Sequence, residues 1–528
     1  MLKMLLAASA LTLPALTTPA AAQSMAGMNM PGMAMPTKKA VAKKAASKET
    51  LPKKKIAATE KPATTKTVGA RPVMVAQPVE PMPAMVMPEG STMDHDTIDH
   101  ASPPTAGAAP VDHSVMPGMA MPATGDHSAM PEAEHGAMSG MVHSMAGALG
   151  AYPAEREASG TAWQPDASQH QGLMKQAGPW MLMAHSTINL VADSQGSPRG
   201  DDKLFVSGMV MGMAQRPLGK GMLQFKAMLS PDPLMGKAGY PLLLASGETA
   251  DGVNRLVDRQ HPHDLFMELS ASVSQPIGRG ASVFLYGGLP GEPAFGPPAF
   301  MHREAILDSP EAPITHHWLD STHISFGVLT AGLVVGRAKV EVSRFNAREP
   351  DQYRYNIETG PLDSTAVRLS WNPTRTLALQ GSWATFKDAE QLEPGVDQKR
   401  LSASILYADE VAPGYKLATT LAWGRKTIDG ESDDAFAGEA SVKHRGWTLF
   451  GRGEVTQNRE LVAEVDHGPA YTVGKASLGL IRDVRVAEHV SVGVGGLVSV
   501  NFVPGALAAA YGGRHPTGAM GFLRFRLE

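Results

Sequence analysis

Methionine and histidine are the residues of this chain whose numbers and spacing could do chemistry. There are 31 methionines, 18 histidines and no cysteine. Without thiolates, the ligands left are thioether sulfur, which suits Cu(I), and imidazole, which suits Cu(II) and other divalent ions. Twenty of the methionines precede Gly178. One cluster holds Met25, Met28, Met30, Met33 and Met35. A longer one, from Met82 to Met145, holds His95, His100, His113, Met116, Met119, Met121, His127, Met130, His135 and His143. Met30 to Pro36 recurs residue for residue as Met116 to Pro122, and Asp-His pairs recur at Asp94-His95, Asp99-His100, Asp112-His113 and Asp126-His127. Spacings of M-x-x-M and M-x-M let a flexible chain wrap a soft ion with two or three sulfurs. A neighbouring carboxylate can orient the ring or help hold the oxidised ion.

A second group lies further on, in and beside the two long loops after the third and fifth strand-like runs. Asp258 to Asp264 carries His261 and His263; Met301 to Arg303 carries His302; Thr315 to His323 carries His316, His317, Asp320 and His323. Imidazoles meeting there, with Asp264 and Asp320 as ligands or supports, would form a metal site. The same residues could instead make a hydrogen-bonded plug with no ion. A third chemistry is hydrolysis of lipid by a serine–histidine pair, with Ser321 or Ser270 beside His263, His317 or His323. No nucleophile-elbow motif supports it. Methionines also fall on the inner faces of three strand-like runs: Met181 and Met183 with His185; Met209, Met211 and Met213; Met222 and Met228. Space-filling is their simpler role, since methionine adapts to irregular gaps. A path passing soft ions by ligand exchange is the alternative.

The elements that must position these groups run from Trp180 to Leu527. Apolar and polar residues alternate there: Leu523, Phe525 and Leu527 fall on one side of a run, with Arg524 and Arg526 on the other. Period two means strands with one apolar and one polar face. Sixteen such runs can be counted, near 180–192, 203–214, 219–230, 264–275, 280–289, 322–334, 337–346, 362–372, 374–386, 398–409, 413–425, 433–444, 446–457, 470–482, 487–501 and 517–527. Tight turns alternate with longer loops, notably 231–262, 290–321 and 347–361. Strands of about 9–11 residues, in even number, with short turns at one end and long loops at the other describe an outer-membrane antiparallel β-barrel, here within a range of roughly 12–18 strands. A soluble sandwich or barrel is the competing arrangement. Glu268, Arg368, Arg400, Lys443, Arg452 and Glu454 would then line the lumen as a solvated, mutually paired wall.

Upstream, residues 1–22 have the charged start, apolar run and Ala20-Ala21-Ala22 site of a secretory signal. Residues 23–178, rich in Met, His, Lys and Pro, hold too few large apolar side chains to offset the entropy of ordering and are expected to be disordered. Residues 179–528 form the barrel. The net charge of −4 argues against nucleic acid as partner. No apolar stretch is long enough for a spanning helix. With an even strand number both termini fall on one side, the periplasm.

Asp112-His113-Ser114-Val115-Met116 and Asp126-His127-Ser128-Ala129-Met130, placed ahead of a barrel, resemble the exported leaders of bacterial copper-resistance outer-membrane proteins. That resemblance covers the layout and residues 25–145. It implies copper sequestration or handling at the outer membrane of a Gram-negative cell, and the expected role is sequestration and resistance or efflux of the metal across that membrane through the lumen. The expected cofactor is copper, Cu(I) or Cu(II), bound and not catalytic. Expected partners are outer-membrane lipid, metal ions and a periplasmic copper protein. The alternatives are the lipid hydrolase and a porin-like channel with a plugged lumen.

Overall fold

The structure is a computed structural model that describes residues 146–169, 172–462 and 468–528. The signal, the methionine clusters and every leader histidine named above, His95 to His143, lie outside the described residues. The strands are β1 (Leu173–Ala177), β2 (Trp180–Gly196), β3 (Asp202–Leu218), β4 (Gly221–Leu229), β5 (Tyr240–Thr249), β6 (Arg255–Gln260), β7 (Phe266–Gly278), β8 (Ala281–Gly288), β9 (Val328–Val335) and β10 (Ala338–Phe345). They continue as β11 (Ser364–Trp371), β12 (Leu377–Phe386), β13 (Gln398–Ala412), β14 (Tyr415–Ile428), β15 (Glu431–His444), β16 (Trp447–Asn458), β17 (Tyr471–Ala487), β18 (Val490–Phe502) and β19 (Thr517–Leu527). A four-residue helix, α1, spans His316–Leu319.

Sixteen strands, β2–β4 and β7–β19, close into one antiparallel ring; β4 pairs with β7, and β19 pairs back onto β2. Closure removes every free strand edge, which a lipid environment requires because it offers backbone groups no partner. The side-chain pattern is inverted relative to a soluble barrel. Leu523 and Phe525 are 40 % and 48 % exposed, while Arg524 and Arg526 between them are 1 % and 6 % exposed. Leu421, Phe436, Leu449 and Leu478 likewise face out, and Arg368, Arg400, Lys339 and Lys475 are buried. An outward apolar band with an inward polar face belongs to a membrane-spanning barrel. Trp371, Trp447 and Tyr415, at strand ends on the short-turn side, add exposed aromatic rings where lipid headgroups would sit.

The tight turns use the backbone geometry that hairpins demand. Asp429-Gly430 and Arg445-Gly446 both have positive φ at two successive residues, the twist-matched two-residue turn. The sixteen strands fall where the alternation places them, with one late start: β9 begins at Val328 rather than near 322, because Ser321–His323 wind into a 3-10 turn. Two features break the expected plan. The 231–262 loop contains its own hairpin, β5 on β6. Ala146–Ala177, assigned above to a disordered leader, is structured where described: Arg156 pairs with Asp166 (2.7 Å), the Thr161 hydroxyl donates to Glu341 (2.6 Å), and β1 pairs with the start of β2. Few as its large apolar side chains are, this segment satisfies its polar groups on the barrel's inner face at the short-turn end. Ser274 and Ser282 donate to the carbonyls of Ala148 and Leu149.

The other end is filled by the long loops. The chain between β8 and β9 leaves one wall and reaches the opposite one. Arg303 donates through Nε and Nη2 to both carboxylate oxygens of Glu439 on β15 (2.8 Å each) and also pairs with Asp320. Thr315 donates to Glu454 on β16, and Glu311 pairs with Lys475 on β17 (2.5 Å). Asp308 pairs with Arg524 and, at 3.0 Å, with Arg526 on β19. The lumen is therefore not lined by a solvated wall. Arg368 pairs with Glu341, Lys443 with Asp308 and Arg452 with Glu454, and all but Lys443 of these are buried to a few per cent exposure. A barrel wall that spends its charges on a plug has few left for water.

Two outcomes follow. Leu421→Arg, at the middle of β14 on the outer face, should lower the stability of the barrel folded into lipid vesicles by about 2–4 kcal/mol, read by urea titration. Arg303→Met takes the guanidinium from Asp320 and the bidentate partner from Glu439, whose remaining cation is Arg452 at 3.9 Å, and should cost about 3–5 kcal/mol. In planar bilayers it should raise a conductance that is small in the parent protein; a parent conductance as large as that of an open porin would refute the plug.

Candidate functional site

Five of the six loop histidines meet inside the plug. His261 and His263 follow β6, His316 and His317 open α1, and His323 closes the 3-10 turn after it. His316 is central: its ring centroid lies 5.6 Å from His261, 5.4 Å from His317 and 5.4 Å from His323, and His323 lies 5.0 Å from His263. Phe300 covers one side, 5.7 Å from His316 and 6.1 Å from His263. Gly247, on β5, makes room, since a Cβ there would stand 2.6 Å from the His317 ring and its φ of +114° suits glycine.

Each ring is held by its Nδ1. His263 Nδ1 lies 2.7 Å from Asp232 Oδ2, His316 Nδ1 2.6 Å from Asp320 Oδ1, and His323 Nδ1 2.7 Å from the Asp320 carbonyl. His317 Nδ1 lies 3.1 Å from Glu349 Oε1, and His261 Nδ1 3.1 Å from Glu248 Oε1. Ionised carboxylates and carbonyls can only accept, so Nδ1 carries a proton in each ring, and wherever the ring is neutral Nε2 keeps a bare lone pair. All five Nε2 atoms are buried without a hydrogen-bond partner. Leaving one such atom orphaned is costly, and five together call for an explanation. Burial pulls His261, His316 and His323 below the ordinary imidazole range, with neighbouring histidines adding repulsion. His317 runs the other way: burial lowers it, but the Glu349 carboxylate raises it overall.

A carboxylate or carbonyl on Nδ1 with Nε2 free is the arrangement that aims histidines at a metal. A cavity of about 50 Å³ adjoins His261 and His263, lined also by Asp232, Gln260 and Met301. Among the described residues, no three His, Asp or Glu side chains already stand in ligand geometry. The donor set fits a borderline divalent ion such as Cu(II) or Zn(II).

Not every residue named from the sequence joins this cluster. His302 stands apart with His185 (centroids 6.4 Å), and burial pushes it down to about 3. Asp264 is engaged by Arg354 (3.2 Å). Asp320 supports two rings and accepts from Arg303 and from the Phe300 amide. The serine–histidine pairs are not formed: Ser270 donates to Glu268 (2.6 Å), and Ser321 accepts from Arg400 (2.9 Å). Sequence reading missed Asp232, Glu248 and Glu349, because carboxylates on a 3-10 turn, on β5 and in the 347–361 loop carry no shared spacing.

No protein-family model matches the chain, and no curated protein matches it. Among solved structures it is similar to OmpT of Vibrio cholerae (8 % identity, TM-score 0.38, covering 67 % of this chain and 99 % of that one). It is similar also to an anion-selective porin from Comamonas acidovorans (12 %, 0.37, 66 % and 100 %) and to Salmonella typhi OmpF in complex with daunomycin (10 %, 0.42, 67 % and 100 %). The barrel itself rests on the closed strand register described above.

Proposed function

We propose that this outer-membrane barrel binds copper, sequestering it at the periplasmic face and holding it in the plug. The observation that carries this reading is the set of five buried imidazoles with anchored Nδ1 and unpartnered Nε2 atoms. Copper is favoured over other divalent ions by the leader. Its methionine clusters, Met25 to Met35 and Met116 to Met130, and its Asp-His pairs supply soft and borderline ligands for both oxidation states. The leader would collect ions from the periplasm or from a periplasmic copper protein. Binding there should be modest per site, because ordering a flexible chain offsets part of each bond. Copper is bound and takes no catalytic part. The resemblance of the leader to those of copper-resistance outer-membrane proteins supports the same assignment.

Metal content of the purified full-length protein tests this. His263→Gln, His316→Gln and His323→Gln together should remove the plug-bound copper while leaving the leader's share. Replacing the leader methionines and histidines by serine should do the reverse. Copper content unchanged by both sets would sink the proposal. Asp232→Asn, which loosens one ring without touching a ligand atom, should weaken plug binding by about 10–100-fold, measured by competition with a chelator.

A further inference from the structure

We propose a second metal site on the inner face of β2 and β3: a thioether chamber for a soft monovalent cation, Cu(I) or Ag(I). It stands apart from the imidazole cluster and does not require that cluster to bind anything. Register builds it. Met183 on β2 lies directly opposite Met213 on β3, His185 opposite Met211, and Thr187 opposite Met209. Directly opposed side chains have Cβ atoms about 5 Å apart, so a row of sulfurs and one imidazole faces a common space. Elsewhere the inner wall mixes Arg, Glu, Ser and Thr with aromatic side chains such as Phe345 and Phe450; here consecutive inward positions of β3 are methionines, 2 % to 9 % exposed.

Filling space is the ordinary use of such residues, but this space is not filled. A cavity of about 90 Å³ remains between the methionines and the plug, lined by Met183, His185, Met209, Met211, Met213 and His302. The flexible side chains that would normally collapse into a gap surround one instead. His302 Nε2, contributed by the plug from the other side, is buried and without a hydrogen-bond partner. Gln224 donates to the Met213 sulfur at 2.9 Å, fixing that thioether in place. Two or three sulfurs with the imidazoles of His185 and His302 suit a soft monovalent ion better than a hard one, and the charges on the rim, Glu157, Glu304 and Lys226, are not among those donors. The cavity's roof includes Ala154, Glu157, Ala158 and Gln164. The described chain enters there at Ala146, whose carbonyl accepts from Gln215, and the sequence directly upstream is the methionine-rich leader. Thr187, Met209 and Leu307 also line the smaller cavity beside His261 and His263, so the two spaces abut.

Silver is the probe, because it mimics Cu(I) without redox chemistry. Crystals of the full-length protein loaded with Ag(I) should show an anomalous peak between Met211, Met213 and His302. Met211→Leu with Met213→Leu conserves volume and should keep the fold. It should abolish that peak and lower bound silver by about one ion per chain. The triple glutamine variant of His263, His316 and His323 should keep the peak. A parent crystal whose silver lies only elsewhere would overturn the chamber. So would a peak that survives both leucines, or one lost in the histidine variant. A parent protein that holds no copper in the plug, with the silver peak intact, would count against the imidazole cluster alone.

Discussion

The bidentate pair between Arg303 and Glu439, with Asp320 as second acceptor, is the contact on which the interior depends. A barrel in lipid must put its apolar side chains outward, so its inner wall is polar by default. Once a loop fills that interior, every wall charge has to find a partner inside, because an unpaired buried charge is far costlier than a paired one. Arg303 meets this need at the middle of the lumen, and Asp308, Glu311 and Glu454 repeat it around the ring. The charges fix where the loop runs. The loop's path in turn fixes where its histidines lie.

That coupling explains why the imidazole cluster is so well oriented. Asp320 serves the structural pair and the site at once: one carboxylate oxygen faces Arg303, the other His316, and its backbone carbonyl faces His323. Phe300 and Gly247 shape the space around the rings. The Nε2 atoms of all five rings are among the buried polar atoms left without partners. A plug built only for packing would have no reason to place them so. The thioether chamber shows the same feature in softer form, a space enclosed by groups able to close it.

Much of the barrel could be read from residue order. Strand alternation is a local property, so Leu523 to Leu527 declare two faces whatever the rest of the chain does. Turn residues such as Asp429-Gly430 mark the hairpins in the same way. Less legible were β5 and β6, whose pairing is interrupted by bulges around Ser246, and Ala146 to Ala177, which has no apolar run. Both are held by contacts with residues far away in sequence, and nothing local announces them.

Composition and order alone determined the alternating strand runs, the two faces of each, and the grouping of histidines in two loops. Only the tertiary structure decided that those loops turn inward, that His302 leaves the group for His185, and that Asp232, Glu248 and Glu349 become the anchors. The reason is range. A strand's pattern repeats every two residues and is set by its own pleat, whereas a loop's course is set by charges it meets across the ring, more than a hundred residues away in sequence.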